Sequence, residues 1–412
     1  MMQESAPANP AISYLVGIGA SAGGLEALQE FFQHMPADTQ MAFVVIQHLS
    51  ADYKSVMDEL LQKQTAMAIK VVESPTTIEP NHIYLISSRS NLIIRKHALD
   101  VLEKDPAQRL NLPIDLFFHS LGEAYQERAV GIVLSGTGTD GSRGAKTIKE
   151  NEGLVMVQQP EEARFDGMPN AIVSQGIADF VLPAAKLVAE LARLAYHAPW
   201  LNAEQTLSEN HGERMDPQLL RRILLEVKKQ CKIDFTVYRE QTILRRLNKR
   251  IRVLNLNSCE DYAAYLSSQA GEPRRLAREF MIGVTRFFRD EEAWELLRDR
   301  VLPELCASRN QDLPIRIWVA GCSSGEEAYS LAILLHEYLI THRLSLDFKL
   351  FATDIDEEAI TFAGHGRYPE SIFSSLSKER LYRYFDKEGD AYVIKKLIRD
   401  HIVFARHNLL TD

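Results

Sequence analysis

Three residues of the types needed for nucleophilic catalysis each stand just past an apolar run. They are Ser21 in YLVGIGASAGG, His48 in AFVVIQHLS and Asp140 in AVGIVLSGTGTDGS. A serine hydroxyl is a weak nucleophile until a neighbouring base takes its proton, and that base needs an acid to orient it. Gly19-Ala20-Ser21-Ala22-Gly23 is a G-x-S-x-G, which places a serine on a tight strand-to-helix turn. The same glycines also suit a phosphate-cradling dinucleotide loop, which is a different chemistry. A dinucleotide site wants an acid closing the second strand, and here that strand ends in Gln47-His48, which counts against it. Alone, Ser21 reads as a turn residue or helix cap and His48 as a polar strand end. Asp140 alone reads as a cap for the next helix or part of a phosphate loop. Together the three types fall where the loops of a parallel sheet converge.

The elements that would position them alternate. Apolar runs at Tyr14–Ile18, Ala42–Gln47, Ala129–Leu134, Leu154–Val157 and Ala178–Leu182 are separated by helical patterns such as Ile114–Tyr125 and Gly144–Glu150. That alternation predicts an α/β fold with a doubly wound, mostly parallel sheet. HIYLISSRSNLIIRKHALDVLE breaks it and reads as an antiparallel hairpin insert. Residues 197–215 are polar and aperiodic, a linker. From Asp216 the pattern is helical and basic, with Asp216-Pro217 as N-cap and first position. Strands at Ile315–Ala320, Lys349–Thr353 and His401–Ala405 then mark a second α/β unit.

Composition narrows the class. The 412 residues are 46% hydrophobic and 25% charged, an ordinary globular balance with room for two or three cores. A net charge of −9 disfavours nucleic acid as the main ligand. The four cysteines (Cys231, Cys259, Cys306, Cys322) form no C-x-x-C pair, so neither a zinc site nor a disulfide frame is expected. The sequence shows no signal peptide and no run long enough for a membrane helix. The expectation is a soluble, cytoplasmic protein without a metal.

On these residues the first half resembles a known family. VGIGASAGGLEAL, VVIQHLS, HIYLI, PIDLFFHSL, GIVLSGTGTDGSRG and FDGMPNAIVSQGIADFVLP resemble, in order over residues 12–196, the catalytic domain of CheB-type chemotaxis receptor methylesterases. The resemblance implies Ser21 as nucleophile, His48 as general base and Asp140 as orienting carboxylate, with Ala22 offering an oxyanion-hole amide. It further implies hydrolysis of glutamate methyl esters, or deamidation of glutamines, on receptors, with no cofactor. Thr137 stands near the site where the family often has methionine. The segment begins near residue 12, where relatives usually carry a preceding receiver domain.

The second half carries its own pattern. RRILLEVKKQCKIDFTVYREQTILRRLNKRIRVLNL concentrates Arg221, Arg222, Lys228, Lys229, Arg245, Arg246, Lys249, Arg250 and Arg252. Such a block reads as a solvated face or, in an acidic protein, as a site for an acidic partner. LPIRIWVAGCSSGEEAYSLAI opens a helix with acids rather than a P-loop lysine, and FATDIDEEAI places Asp354 where a ribose-binding acid belongs. Residues 216–412 resemble CheR-type receptor methyltransferases. That resemblance implies S-adenosylmethionine contacts by Thr285, Arg289, Glu327, Asp354, Asn408 and Leu409. It implies basic helices docking the acidic methylation helices of methyl-accepting receptors, so that the membrane is met only through them. Gly283 replaces the family's frequent asparagine. The sequence stops at HNLLTD after three strands, where the family continues, so a fragment with an inactive transferase half is expected.

The expected organisation is therefore a methylesterase domain at 12–196, a linker at 197–215, a helical domain at 216–288 and a partial Rossmann-like cofactor domain at 289–412. A nucleotide-binding oxidoreductase and a non-catalytic signalling scaffold are the alternatives.

Overall fold

The computed structural model describes residues 12–48, 57–87, 90–104, 111–196, 216–256, 258–281, 283, 285–307, 313–369, 372, 376–389 and 391–412. The linker expected at 197–215 lies outside them. The chain divides into two compact units, Met1–Ile282 and Gly283–Asp412.

In the first unit the apolar runs form strands β1 (Leu15–Ala20), β2 (Ala42–Gln47), β3 (Ala68–Val72), β4 (Thr76–Thr77), β5 (His82–Ile86), β6 (Ser90–Arg95), β7 (Ala98–Glu103), β8 (Ala129–Val133), β9 (Leu154–Gln158) and β10 (Phe180–Leu182). Seven of them make one sheet in the order β10-β9-β8-β1-β2-β5-β3, with every pairing parallel. Helices α1 (Gly24–His34), α2 (Met57–Gln62), α3 (Pro113–Tyr125), α4 (Ser142–Glu150), α5 (Gly167–Val173) and α6 (Ala184–Tyr196) cover its two faces. The hairpin reading of the HIYLI segment holds for β6 and β7, which pair antiparallel through a two-residue turn at Lys96 and His97. It fails for β5, which joins the parallel sheet between β2 and β3. All but the first residue of β5 are buried, so it is a core strand rather than part of a surface hairpin.

The two-residue period of β1 explains its glycines. Val16, Ile18 and Ala20 face the core under α1 and α6, with Phe31, Phe32 and Leu187. Gly17 and Gly19 face α3, which lies almost on the strand. A Cβ on Gly19 would stand 2.5 Å from Ile114 Cγ2, and one on Gly17 would stand 2.9 Å from Phe117, Phe118 and Leu121. These glycines permit a close helix–strand approach rather than a loop around phosphates.

After residue 215 the first unit continues with α7 (Pro217–Cys231), α8 (Glu240–Val253), α9 (Cys259–Ser268) and α10 (Glu272–Phe280). Asp216 caps α7 by accepting from the Gln218 amide at 3.0 Å, with Pro217 at the first position. This helical module is fixed to the amino ends of the sheet strands. Val253 enters the core beside Tyr14, and Arg252 hydrogen-bonds the Tyr14 hydroxyl. Arg193 of α6 donates to Asn255 at 2.9 Å. Between β9, β10 and the module lies a buried charge cluster. Lys149 contacts Asp179 at 2.6 Å and Glu279 at 2.7 Å, while Lys249 donates to the Gly153 carbonyl at 2.5 Å and stands 3.4 Å from Asp179. Burial pushes Lys249 down to about 8 even with Asp179 opposing. Burial also opposes charge on Lys149, but the Asp179 and Glu279 carboxylates outweigh it and hold its pKa above the usual range.

That docking, together with pairing inside the module itself, occupies much of the basic block. Arg245 pairs with Glu152 at 3.1 Å, Arg250 with Glu272 at 2.7 Å, and Arg246 hydrogen-bonds the Glu279 carbonyl. Lys249 is in the cluster just described. The exposed remainder is Arg221, Arg222, Lys228 and Lys229 of α7, with Lys228 contacting Asp234 at 2.5 Å. The charges of α8 were spaced for an interface inside the unit, which a count of basic residues does not distinguish from a docking face.

The second unit builds β11 (Ile315–Ala320), β12 (Phe348–Asp354), β13 (Arg367–Pro369), β14 (Phe385–Glu388), β15 (Ala391–Ile394) and β16 (Ile402–Arg406). A parallel sheet runs β11-β12-β16, and β13-β15-β14 is a small antiparallel one. Helices α11 (Glu291–Leu296) and α12 (Leu302–Ala307) precede β11, α13 (Glu326–Thr341) follows it, and α14 (Glu357–His365) follows β12. Among the described residues β11 pairs with β12 alone, and Trp318 on it is 56% exposed. No helix among the described residues is long and apolar enough to cross a membrane.

Removing one acid from the buried cluster leaves two lysines short of countercharge. Asp179→Ala is expected to lower stability by about 3–5 kcal/mol in urea unfolding. Breaking the exposed Arg164–Glu26 pair with Glu26→Ala should cost about 1 kcal/mol or less.

Candidate active site and cofactor crevice

Three strand ends meet at the carboxyl edge of the large sheet. Ser21 follows β1, its amide donating to the Ser135 carbonyl at 3.0 Å. His48 follows β2, its amide reaching back to Ala20 at 3.4 Å. Asp140 lies in the loop between β8 and α4. The structure brings all three together: His48 Nδ1 stands 3.0 Å from Ser21 Oγ, and Nε2 stands 2.7 Å from Asp140 Oδ2. With the ring proton on Nε2 and donated to Asp140, Nδ1 turns its lone pair to the serine hydroxyl.

Asp140 is buried, at 2% side-chain exposure, while His48 is 33% exposed. Besides the imidazole, Asp140 accepts from the amides of Ile114 at 3.1 Å, Asp115 at 2.8 Å and Gly141 at 2.9 Å. Two of these donors are in the first turn of α3, whose unpaired amides favour an anion. Asp140 is thus gripped by the helix that lies on Gly17 and Gly19.

Ala22 leads from Ser21 to α1. Its carbonyl accepts from Ser135 Oγ at 2.9 Å, and its amide has no hydrogen bond among the described residues. Ser135 Oγ also accepts from the Phe165 amide at 3.0 Å, and the Ser135 amide donates to Gln158 Oε1 at 2.9 Å. Sequence reading missed Ser135, although it sits in the quoted LSGTG loop. Thr137 is exposed on the same loop. Also missed was Asp115 in PIDLFF, where an acid directly after proline and isoleucine at a helix start was the available signal.

In the second unit, Asp354 closes β12, Glu327 lies in the first turn of α13 after β11, and Asn408 and Leu409 follow β16. These four gather at the carboxyl ends of the parallel strands. Asp354 Oδ2 accepts from the Ser323 amide at 2.8 Å and Oδ1 from the Asp356 amide at 2.9 Å, leaving lone pairs for hydroxyl donors. Burial, with Asp354 nearby, pushes the Cys322 thiol up to about 12 and keeps it protonated. Half-buried Thr285 and exposed Arg289 lie on the segment before α11. That segment is tied to α13 by the Phe288 amide donating to Ser330 Oγ at 2.9 Å. Among the described residues no group of His, Cys, Asp and Glu could hold a metal.

Residues 16–191 match the CheB methylesterase family, residues 218–281 the CheR methyltransferase all-alpha domain, and residues 283–412 the CheR methyltransferase SAM-binding domain. An uncharacterized 104.1 kDa protein in the hypE 3′ region of Rhodobacter capsulatus is 32% identical over 373 residues, 86% of this chain and 39% of its own length. A protein-glutamate methylesterase/protein-glutamine glutaminase of Maricaulis maris is 31% identical over 193 residues, 46% of this chain and 48% of its own length. A chemotaxis protein methyltransferase of Borreliella burgdorferi is 28% identical over 198 residues, 47% of this chain and 70% of its own length. The solved Thermotoga maritima CheB methylesterase catalytic domain is 25% identical, with 44% of this chain and 98% of that one covered and a TM-score of 0.41. The chain spans half or less of the length of the first two of these relatives.

A methyl group on Gly19 would push α3 off β1. Gly19→Ala is expected to lose about 1–3 kcal/mol of stability, measured by chemical denaturation. The hold on Asp140 should loosen with it, because α3 carries the amides that bind that carboxylate.

Proposed function

We propose that this chain, which joins a CheB-type methylesterase domain to both domains of a CheR-type methyltransferase, acts on receptor glutamates in bacterial sensory signalling. Its first part removes their methyl groups. The observation that carries this reading is the continuous Ser21–His48–Asp140 hydrogen-bond chain, at 3.0 and 2.7 Å, inside the methylesterase-matched segment.

The residues divide the work. Ser21 Oγ attacks the ester carbonyl while His48 Nδ1 takes its proton, and Asp140 holds the ring and stabilises the imidazolium. The Ala22 amide, with the start of α1, faces the developing oxyanion. Collapse expels methanol, which takes the proton from His48. Water then attacks the acyl-serine with His48 again as base, releasing glutamate and restoring Ser21. A glutamine amide passes through the same steps with ammonia as leaving group. A half-buried serine beside an exposed imidazole suits a side chain offered by another protein. Receptor methylation helices are the partners of this reading, met on the cytoplasmic side.

In the second unit S-adenosylmethionine supplies an electrophilic methyl group when bound. Asp354 would take its ribose hydroxyls and Glu327, Asn408 and Leu409 would line the crevice. Thr285 and Arg289 would face the carboxylate of cofactor or substrate. Asp354 fits that role because its oxygens are fixed by amides and keep free lone pairs. Because β11 pairs with β12 alone among the described residues and Trp318 is open to solvent, binding is expected to be weak.

Methanol release from a methylated receptor tests the first part. Ser21→Ala, His48→Ala and Asp140→Asn should each lose about 10³-fold or more in kcat. Wild-type release no faster than that of Ser21→Ala would leave a scaffold. Calorimetry tests the second part: sub-micromolar S-adenosylmethionine affinity would contradict the weak-binding expectation.

A further inference from the structure

The buried carboxyl of Asp115 has no place in the mechanism above, yet it meets the machinery from behind. Its backbone amide donates to Asp140 Oδ1 at 2.8 Å. Its own Oδ1 accepts from the Arg143 amide at 2.9 Å and the Gly144 amide at 2.8 Å, in the first turn of α4. Asp140 stands just before α4 and is held by the first turn of α3, while Asp115 stands in α3 and holds the first turn of α4. The contact is close: a Cβ on Gly144 would lie 2.3 Å from Phe118 Cβ and 2.8 Å from the Asp115 carbonyl. Each carboxylate therefore caps the helix that carries or follows the other.

We propose that Asp115 is a positioning residue of the esterase site, cross-linking α3 to α4 so that Asp140 stays in line with His48, and setting a second carboxyl behind it. This rests on the esterase reading given above. Capping alone needs one acceptor oxygen, which asparagine or serine also supplies. The second oxygen is what an aspartate adds, and Asp115 Oδ2 is buried without a hydrogen-bond partner among the described residues. The charged groups facing it are Asp140 and Arg143, with His48 beyond Asp140. β1, β2 and β8 contribute no ionisable side chain, and Arg95 of β6 is paired with Asp100 at 3.1 Å. Burial, then the Asp140 charge, push Asp115 up from 3.8 to about 7. The folded chain therefore holds a proton there that the unfolded chain releases. Its stability falls as pH rises from about 4 to about 7 on this account. Above that range the group is an anion that favours the imidazolium formed when His48 takes the serine proton.

The test is the rate at which a fluorophosphonate labels Ser21 in the whole chain, followed from pH 5.5 to 9, which needs no receptor. The wild-type to Asp115→Asn rate ratio should pass from one plateau below pH 6 to another above pH 8, higher by about fivefold or more. Asp115→Leu, which keeps neither acceptor, should label at least about tenfold slower than Asp115→Asn at pH 6. The thermal midpoint of Asp115→Asn relative to wild type should rise between pH 5 and pH 8. A pH-independent ratio, or leucine and asparagine variants labelling alike, overturns the proposal. Asp115→Ser replaces the asparagine variant if that one fails to fold. Absent labelling of the wild type would instead remove the esterase reading, and this inference with it.

Discussion

The close approach of α3 to β1 is the constraint on which the first unit depends. It is possible only because Gly17 and Gly19 leave that face of the strand bare, so that Ile114, Phe117, Phe118 and Leu121 can settle against the backbone. The depth of α3 in turn places the amides of Ile114 and Asp115 on Asp140. Asp140 holds the imidazole at 2.7 Å, and Nδ1 of that ring stands 3.0 Å from Ser21 Oγ. Packing in the core and chemistry at the surface are thus one arrangement. A methyl group on Gly19 would be felt at Ser21 because interiors are close-packed.

The sheet also separates two kinds of polar group. At its carboxyl ends the polar side chains are open on one side: His48 is exposed and the Ala22 amide is unused. At its amino ends Lys149, Asp179, Lys249 and Glu279 are closed in by the helical module. The first keeps hydrogen-bonding groups open to solvent, whereas the second has satisfied its charges internally. The helical module therefore meets the methylesterase-matched domain away from Ser21, and the charges of α8 are divided between that contact and α10 of the module itself. An acidic partner is left with the α7 lysines and arginines.

Much of this was legible beforehand, for physical reasons that differ by element. Strands buried on both faces show as unbroken apolar runs, so β1, β2, β8 and β9 could be read directly, and convergence of strand ends placed Ser21, His48 and Asp140 together. β3 was missed because its outer residues are polar or exposed, and β5 was misplaced because the polar turn after it resembled a hairpin's. The packing role of Gly17 and Gly19 was not legible, since nothing in a sequence says which helix will lie on a strand. Asp115 escaped for a related reason: its partners are backbone amides of α4, twenty-eight residues on, and amides carry no signature in a sequence. How the basic block divides was not legible, because charge composition is silent about whether a countercharge waits inside the same unit.

The most direct measurement of the central claim, that Ser21 and His48 act as one unit, is a double-variant cycle on methyl-ester hydrolysis. Ser21→Ala, His48→Ala and the combined variant would be compared with wild type in kcat. Cooperation predicts that the combined variant is no slower than the slower single one, because either change already removes the whole nucleophile. Losses that multiply would mean that the two side chains act independently, and the 3.0 Å contact between them would not be the working one.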